Sequence, residues 1–95
     1  MVNRSKIVTK DRPGKKNEPD SGNIRFLILH DDDHHTFEYV IQCLMDICGH
    51  DIVQAEQCTQ IVHFKGSCDV LKGDYRELLP YRQAMIAKEL KVTID

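Results

Sequence analysis

The chain has no tryptophan, and aromatic residues make up only 6% of its 95 positions, so a large aromatic-lined pocket is not expected. Long apolar runs are also missing. The longest are short ones such as Phe26-Leu27-Ile28-Leu29, whereas a membrane span needs roughly 20 mostly apolar residues. No apolar stretch follows the charges of Met1-Val2-Asn3-Arg4-Ser5-Lys6, so no secretory signal is expected and a cytoplasmic location is. The four cysteines (Cys43, Cys48, Cys58, Cys68) form no C-x-x-C pair, which excludes a zinc ribbon or a thioredoxin motif. They are expected to be free and mostly buried, packing as small hydrophobes. A net charge of −2 gives no general case for nucleic-acid binding.

That charge is unevenly spread. Residues 1–23 balance at +3, carrying Arg4, Lys6, Lys10, Arg12, Lys15 and Lys16, and residues 24–95 balance at −5. The first segment also holds Pro13, Gly14, Pro19, Ser21 and Gly22 and has almost nothing to bury. It is expected to be a flexible basic extension, 1–23, on an acidic core domain, 24–95. A body of that size buries only roughly 60–65% of its unfolded surface, which makes a deep enzyme cleft hard to build.

Within the body, Ile24–Leu29 has the length of a strand. The loop His30–His35 follows, and Phe37, Val40, Ile41, Leu44 and Cys48 then mark one face of a helix capped by Thr36 and ended by Gly49. Asp51-x-x-Gln54 opens a second helix, with Ile52, Ala55, Cys58 and Val62 directed inward. Gly66 breaks the chain before a short strand, Cys68–Leu71. Asp74-x-x-Glu77 opens a third helix carrying Leu78, Tyr81, Met85 and Ile86, in which Pro80 must sit near the first turn or cause a kink. Lys91–Ile94 alternates as a last strand. The expected fold class is α+β, a small β-α-α-β-α-β sandwich in which helices cover one face of a three-stranded antiparallel sheet.

Three carboxylates and three histidines occupy the six positions His30-Asp31-Asp32-Asp33-His34-His35. At a strand end before a helix N-terminus they make an anionic rim, and part of this is explained by the helix macrodipole. A metal-binding or metal-dependent domain is the alternative, since Asp and His are ligands for several transition metals. Adjacent histidines diverge on regular backbone, however, and neither a D-x-D-x-D-G loop nor an H-x-x-x-H pair is present. The third reading is a cation site that accepts charge-assisted hydrogen bonds from an ammonium group.

The stretch Leu29-His30-Asp31-Asp32-Asp33-His34-His35-Thr36-Phe37-Glu38-Tyr39-Val40 resembles the strand–loop–helix signature of ClpS, the bacterial N-degron adaptor family. That signature runs asparagine, two aspartates, an aromatic, threonine, proline, a large apolar residue, glutamate, an aromatic and valine. Ala55-Glu56-Gln57-Cys58-Thr59-Gln60-Ile61-Val62-His63-Phe64-Lys65-Gly66 is similar to the family's alanine-threonine-glutamine stretch ending in valine-histidine-tyrosine-x-glycine. Together the two motifs and the element order cover residues 24–95.

The resemblance implies a non-enzymatic adaptor, without cofactor or metal, that binds proteins by a destabilising first residue (Leu, Phe, Tyr or Trp). Such a family member delivers them to the N-terminal domain of a Clp-type AAA+ unfoldase and is expected to be monomeric. By position, Asp31, Asp32, Asp33 and His63 hold the α-amine, and His35, Phe37, Val40, Thr59 and Val62 form the apolar pocket. Glu77 and Arg82 contact the unfoldase, and the basic extension is the segment engaged at handover. Four departures bear on specificity. Asp31 replaces asparagine, His35 and Thr36 stand where the family has threonine and proline, Phe37 replaces an aliphatic gatekeeper, and Thr59 replaces a large apolar residue that would otherwise fill the pocket floor.

Overall fold

The computed structural model describes residues 23–95, so the basic extension lies outside the described residues except for Asn23. The elements run β1 (Arg25–His30), α1 (Phe37–Cys48), α2 (Ile52–Lys65), β2 (Ser67–Gly73), α3 (Tyr75–Ala87) and β3 (Lys91–Ile94). This is the expected order. The strands form one antiparallel sheet in the order β2-β1-β3.

β1 lies between the other two strands and alternates between a covered and an open face. Leu27 and Leu29 are fully buried toward the helices, while Phe26, Ile28 and His30 are half-buried on the other side. In the pairing with β2, Leu27 faces Leu71 but Ile28 faces Asp69, so a bulge falls at Val70. An extra residue in one strand resets the alternation. Val70 and Leu71 are therefore consecutive and both buried.

The helix starts follow from their caps. Thr36 Oγ1 accepts the Tyr39 N–H at 3.1 Å, and an Asp51 carboxylate oxygen accepts the Gln54 N–H at 2.8 Å. Asp74 and Glu77 form a reciprocal capping box, with Glu77 N–H donating to Asp74 and Asp74 N–H donating to Glu77. These bonds satisfy orphan amides in the first turn of each helix. Gly49 and Gly66 end α1 and α2 in the left-handed region, where glycine carries no Cβ penalty.

The core joins Leu27, Leu29, Leu44, Ala55, Val70, Leu78, Met85 and Val92 with all four cysteines, which are buried. Burial pushes the Cys48 thiol up to about 12, with Cys43 adding to the effect, and burial raises Cys43 as well. Neither is a thiolate near neutral pH, so neither is a ready nucleophile.

Three packing expectations need correction. Ile52 is 49% exposed rather than inward, and Tyr81 and Ile86 are 39% and 46% exposed. Ile52 is the first residue of α2, and a side chain there leans back over the preceding turn, away from the core. On α3 only Leu78 and Met85, seven residues apart, are buried, which is a narrow stripe. Pro80 is in the second turn, and the helix continues through it as one element with the proline on its exposed side. Among the described residues no helix is long and apolar enough to cross a membrane.

Candidate functional site

The end of β1 and the end of α2 are 35 positions apart in sequence but meet in space, because His30 pairs with Ser67 directly after the Gly66 cap. The Asp31 N–H donates to the Gly66 carbonyl at 3.0 Å and ties the acidic loop to the last turn of α2. A cavity of about 340 Å³ opens at this junction. It is lined by Asp31, Asp32, Asp33, His35, Phe37, Val40, Thr59, Val62 and His63, with Leu29, His30, Thr36 and Leu90 completing the wall. Acidic side chains and an imidazole therefore stand on the same cavity as apolar ones.

The three aspartates differ in what they do. One Asp32 oxygen accepts the His34 N–H at 2.8 Å and the His35 N–H at 3.0 Å, and the His35 Nδ1 lies 3.0 Å from the other. Burial raises the Asp32 carboxyl. The hydrogen bonds from His35 and from the two amides, with the His35 charge, outweigh that effect and hold it below its ordinary value. An ionised carboxylate only accepts, so the His35 Nδ1 carries the proton shared with it. The His35 ring in turn stacks on Tyr39 at 4.7 Å and 12°, and the Tyr39 hydroxyl donates to the Lys88 carbonyl at 2.9 Å. Asp31 and Asp33 are exposed, and their carboxylates make no hydrogen bond among the described residues. Asp32 thus shapes the loop, and its neighbours carry the outward charge.

The wall residues separate in a similar way. Phe37 is 38% exposed, outside the core, and its ring meets the His63 ring edge-on at 5.3 Å. Val62 belongs to both core and cavity, and Val40 packs against the core while also lining the cavity. Thr59 is buried, and its hydroxyl donates to the Ala55 carbonyl at 2.8 Å. Its polarity is therefore satisfied inside the helix, and the smaller side chain leaves space without adding a free donor. The neighbouring rings of His34 and His35 stand 76° apart, and among the described residues no three His, Cys, Asp or Glu side chains gather as a metal site requires.

The family model of the ATP-dependent Clp protease adaptor protein ClpS matches residues 25–93. The chain belongs to the ClpS family. It is also similar to a solved structure, that of Agrobacterium tumefaciens ClpS2 bound to L-phenylalaninamide, with a TM-score of 0.69 at 19% identity. That likeness covers 76% of this chain and 94% of the other, and it shows a shared fold. ClpS is an adaptor family and not itself a protease.

Four wall residues of this ClpS-family chain were not among the expected pocket or amine-binding residues. Leu29 reads as core, and it is buried as well as lining the cavity. Thr36 is accounted for by its cap, and His30 by its contact with Thr93 Oγ1 at 2.8 Å. Leu90 reaches the wall through a turn after α3 in which Glu89 has φ 64°, a conformation that no glycine announces. Away from the cavity, Glu77 and Arg82 are both half-buried on α3. The capping box holds Glu77, so its placement has a structural cause besides any contact with a partner.

Proposed function

We propose that this ClpS-family chain binds proteins through their first residue and delivers them to a Clp-type unfoldase. The observation that carries the reading is the single cavity in which acidic groups and His63 share a mouth with an apolar wall. An N-terminal residue has the complementary form, an ammonium group next to a side chain of variable size. The α-ammonium meets Asp31, Asp33 and His63, while Asp32 holds the loop that presents them. The first side chain enters against His35, Phe37, Val40, Thr59 and Val62. An internal residue offers the same side chain without the charge, so the acidic mouth selects true N-termini. The similar Agrobacterium protein is bound to L-phenylalaninamide, a small molecule with a free α-amine and an aromatic side chain, which supports the reading. Delivery runs through α3, where Glu77 and Arg82 contact the N-terminal domain of the unfoldase. The adaptor works as a cytoplasmic monomer and carries out no chemistry itself.

Fluorescence anisotropy with a Phe-initiated peptide, free and N-acetylated, tests the reading. The free peptide is expected to bind and the acetylated one is not. Asp31→Ala and His63→Ala should each weaken binding roughly 10- to 100-fold, the effect of losing one charge-assisted contact. Equal binding of free and acetylated peptide would rule out recognition of the amine.

A further inference from the structure

On its outer side α2 carries the exposed Val53, Gln57, Gln60 and Phe64, at positions i, i+4, i+7 and i+11 of one stripe, with Ile61 beside them half-buried against the core. Phe64 is 79% exposed, the most exposed of the large apolar residues among those described. A shallow hollow of about 310 Å³ lies beside it, lined by Gln57, Gln60, Ile61, Phe64 and Lys65. A single exposed phenyl ring calls for no explanation. This one, however, is joined to the cavity. The Phe64 ring meets the His63 ring edge-on at 5.3 Å and 71°, and the His63 ring meets that of Phe37 at 5.3 Å and 72°. Phe37 and His63 line the cavity, and Phe64 lies outside it. Three rings in contact therefore lead from the cavity mouth to the outer hollow.

We propose that Phe64 and this hollow are a second subsite, which holds the residues directly behind the first one of a bound protein and favours apolar side chains there. The inference rests on the first-residue binding proposed above, and the occupant is the continuation of that same chain. An extended chain advances roughly 3.3–3.6 Å per residue, so the 5.3 Å from His63 to Phe64 is covered within two residues. Side chains alternate along an extended chain. With the first side chain in the cavity, the third turns back toward the protein and meets the Phe64 ring. The Gln57 and Gln60 amides line the hollow and supply donors and acceptors for the backbone that crosses it.

The test titrates full-length wild type and Phe64→Ala with Phe-initiated peptides carrying Leu or Ser at the third position. Wild type is expected to bind the Leu peptide about 2- to 10-fold more tightly than the Ser peptide, as one aromatic–apolar contact would give. In Phe64→Ala that ratio should fall to about one, with the Ser peptide bound as in wild type. An unchanged ratio, or equal weakening of both peptides, would overturn the subsite. So would a ratio near one in wild type. Two further measurements on Phe64→Ala identify the other occupants. A changed sedimentation coefficient points to a second copy of this chain, and slower reporter degradation with unaltered peptide binding points to the unfoldase, and either result overturns the proposal. If neither peptide binds wild type, the failure lies with first-residue recognition, and the subsite falls with it.

Discussion

Asp32 and its neighbours divide two tasks that sequence position alone assigns to all three. Asp32 receives two loop amides and the His35 ring, so its removal disturbs loop shape and rim charge together. Asp31 and Asp33 are the cleaner probes of amine recognition. The lowered Asp32 carboxyl also links stability to pH. Because its folded value is depressed, its contribution is complete above the ordinary value of 3.8 and is lost as pH falls through the folded value. Thermal unfolding should therefore show wild type more stable than Asp32→Asn above pH ~5, by a margin that closes as the solution is acidified below 3.8. A margin independent of pH would mean that the ionised form is not what holds the loop. In the proposed recognition Phe37 stands on the apolar side. It lies outside the core and its ring touches His63, so it is free to serve as a rigid gate. N-terminal Phe and Tyr should bind about 2- to 10-fold more tightly than Leu through ring contact, and the β-branched Ile and Val should be refused. Phe37→Ala should admit Ile and Val while weakening Phe, as read by anisotropy with peptides differing only in the first residue. If wild type binds Ile as tightly as Leu, the gate lies elsewhere in the wall.

At the scale of elements, the turn between α3 and β3 is the strained joint of the site. Glu89 has φ 64°, a conformation that costs an L-residue roughly 1–2 kcal/mol. The same turn presents the Lys88 carbonyl to Tyr39, which stacks on His35, and sends Leu90 into the cavity wall. Glu89→Gly removes the Cβ clash but adds chain entropy to the unfolded state, costing roughly 0.5–1 kcal/mol. A net gain of about 0.5–1 kcal/mol in urea unfolding is expected, with peptide affinity unchanged. Lower stability in the variant would show that the Glu89 side chain offsets the strain. This joint also marks where the sequence stops being legible. Thr36, Asp51 and the Asp74–Glu77 pair announce the helix starts, and Gly49 and Gly66 announce two of the ends, because caps act within four residues and leave a local signature. Glu89 has no such signature, since Met85, Ile86 and the surrounding packing impose its conformation through the Leu90 and Glu89 amides. The same limit explains Tyr81 and Ile86 on α3. Periodicity marks a face as apolar, but the narrow contact of α3 with the sheet decides how much of that face is covered. The cavity-lining set was readable only because both motifs lie where β1 and α2 are brought together by the His30–Ser67 register. The Val70 bulge, which sets the alternation beyond it, had no marker of its own.

For the whole molecule, the question is how far the basic extension is coupled to the cavity. The described body begins at Asn23, and β1 follows from Arg25. Arg25 pairs with Gly73, whereas His30, at the other end of the strand, leads into the acidic loop. A strand residue rises about 3.3 Å, so the six residues of β1 separate the attachment point from the cavity by most of a strand length. The strand partners of β1 and the cavity-lining residues named above all belong to the described body. The extension also has no periodic apolar residues with which to complete a pocket. Deleting residues 2–20 should therefore leave the peptide affinity of the body unchanged. In the proposed delivery, by contrast, a segment balanced at +3 on a body at −5 would serve as a separate handle for the unfoldase. The same deletion should slow degradation of a reporter bearing an N-terminal Phe by the unfoldase–protease pair, most clearly at reporter concentrations that saturate the cavity. Weaker peptide binding after the deletion would make the extension part of the cavity. Unchanged degradation would shift handover entirely to the α3 face around Glu77 and Arg82.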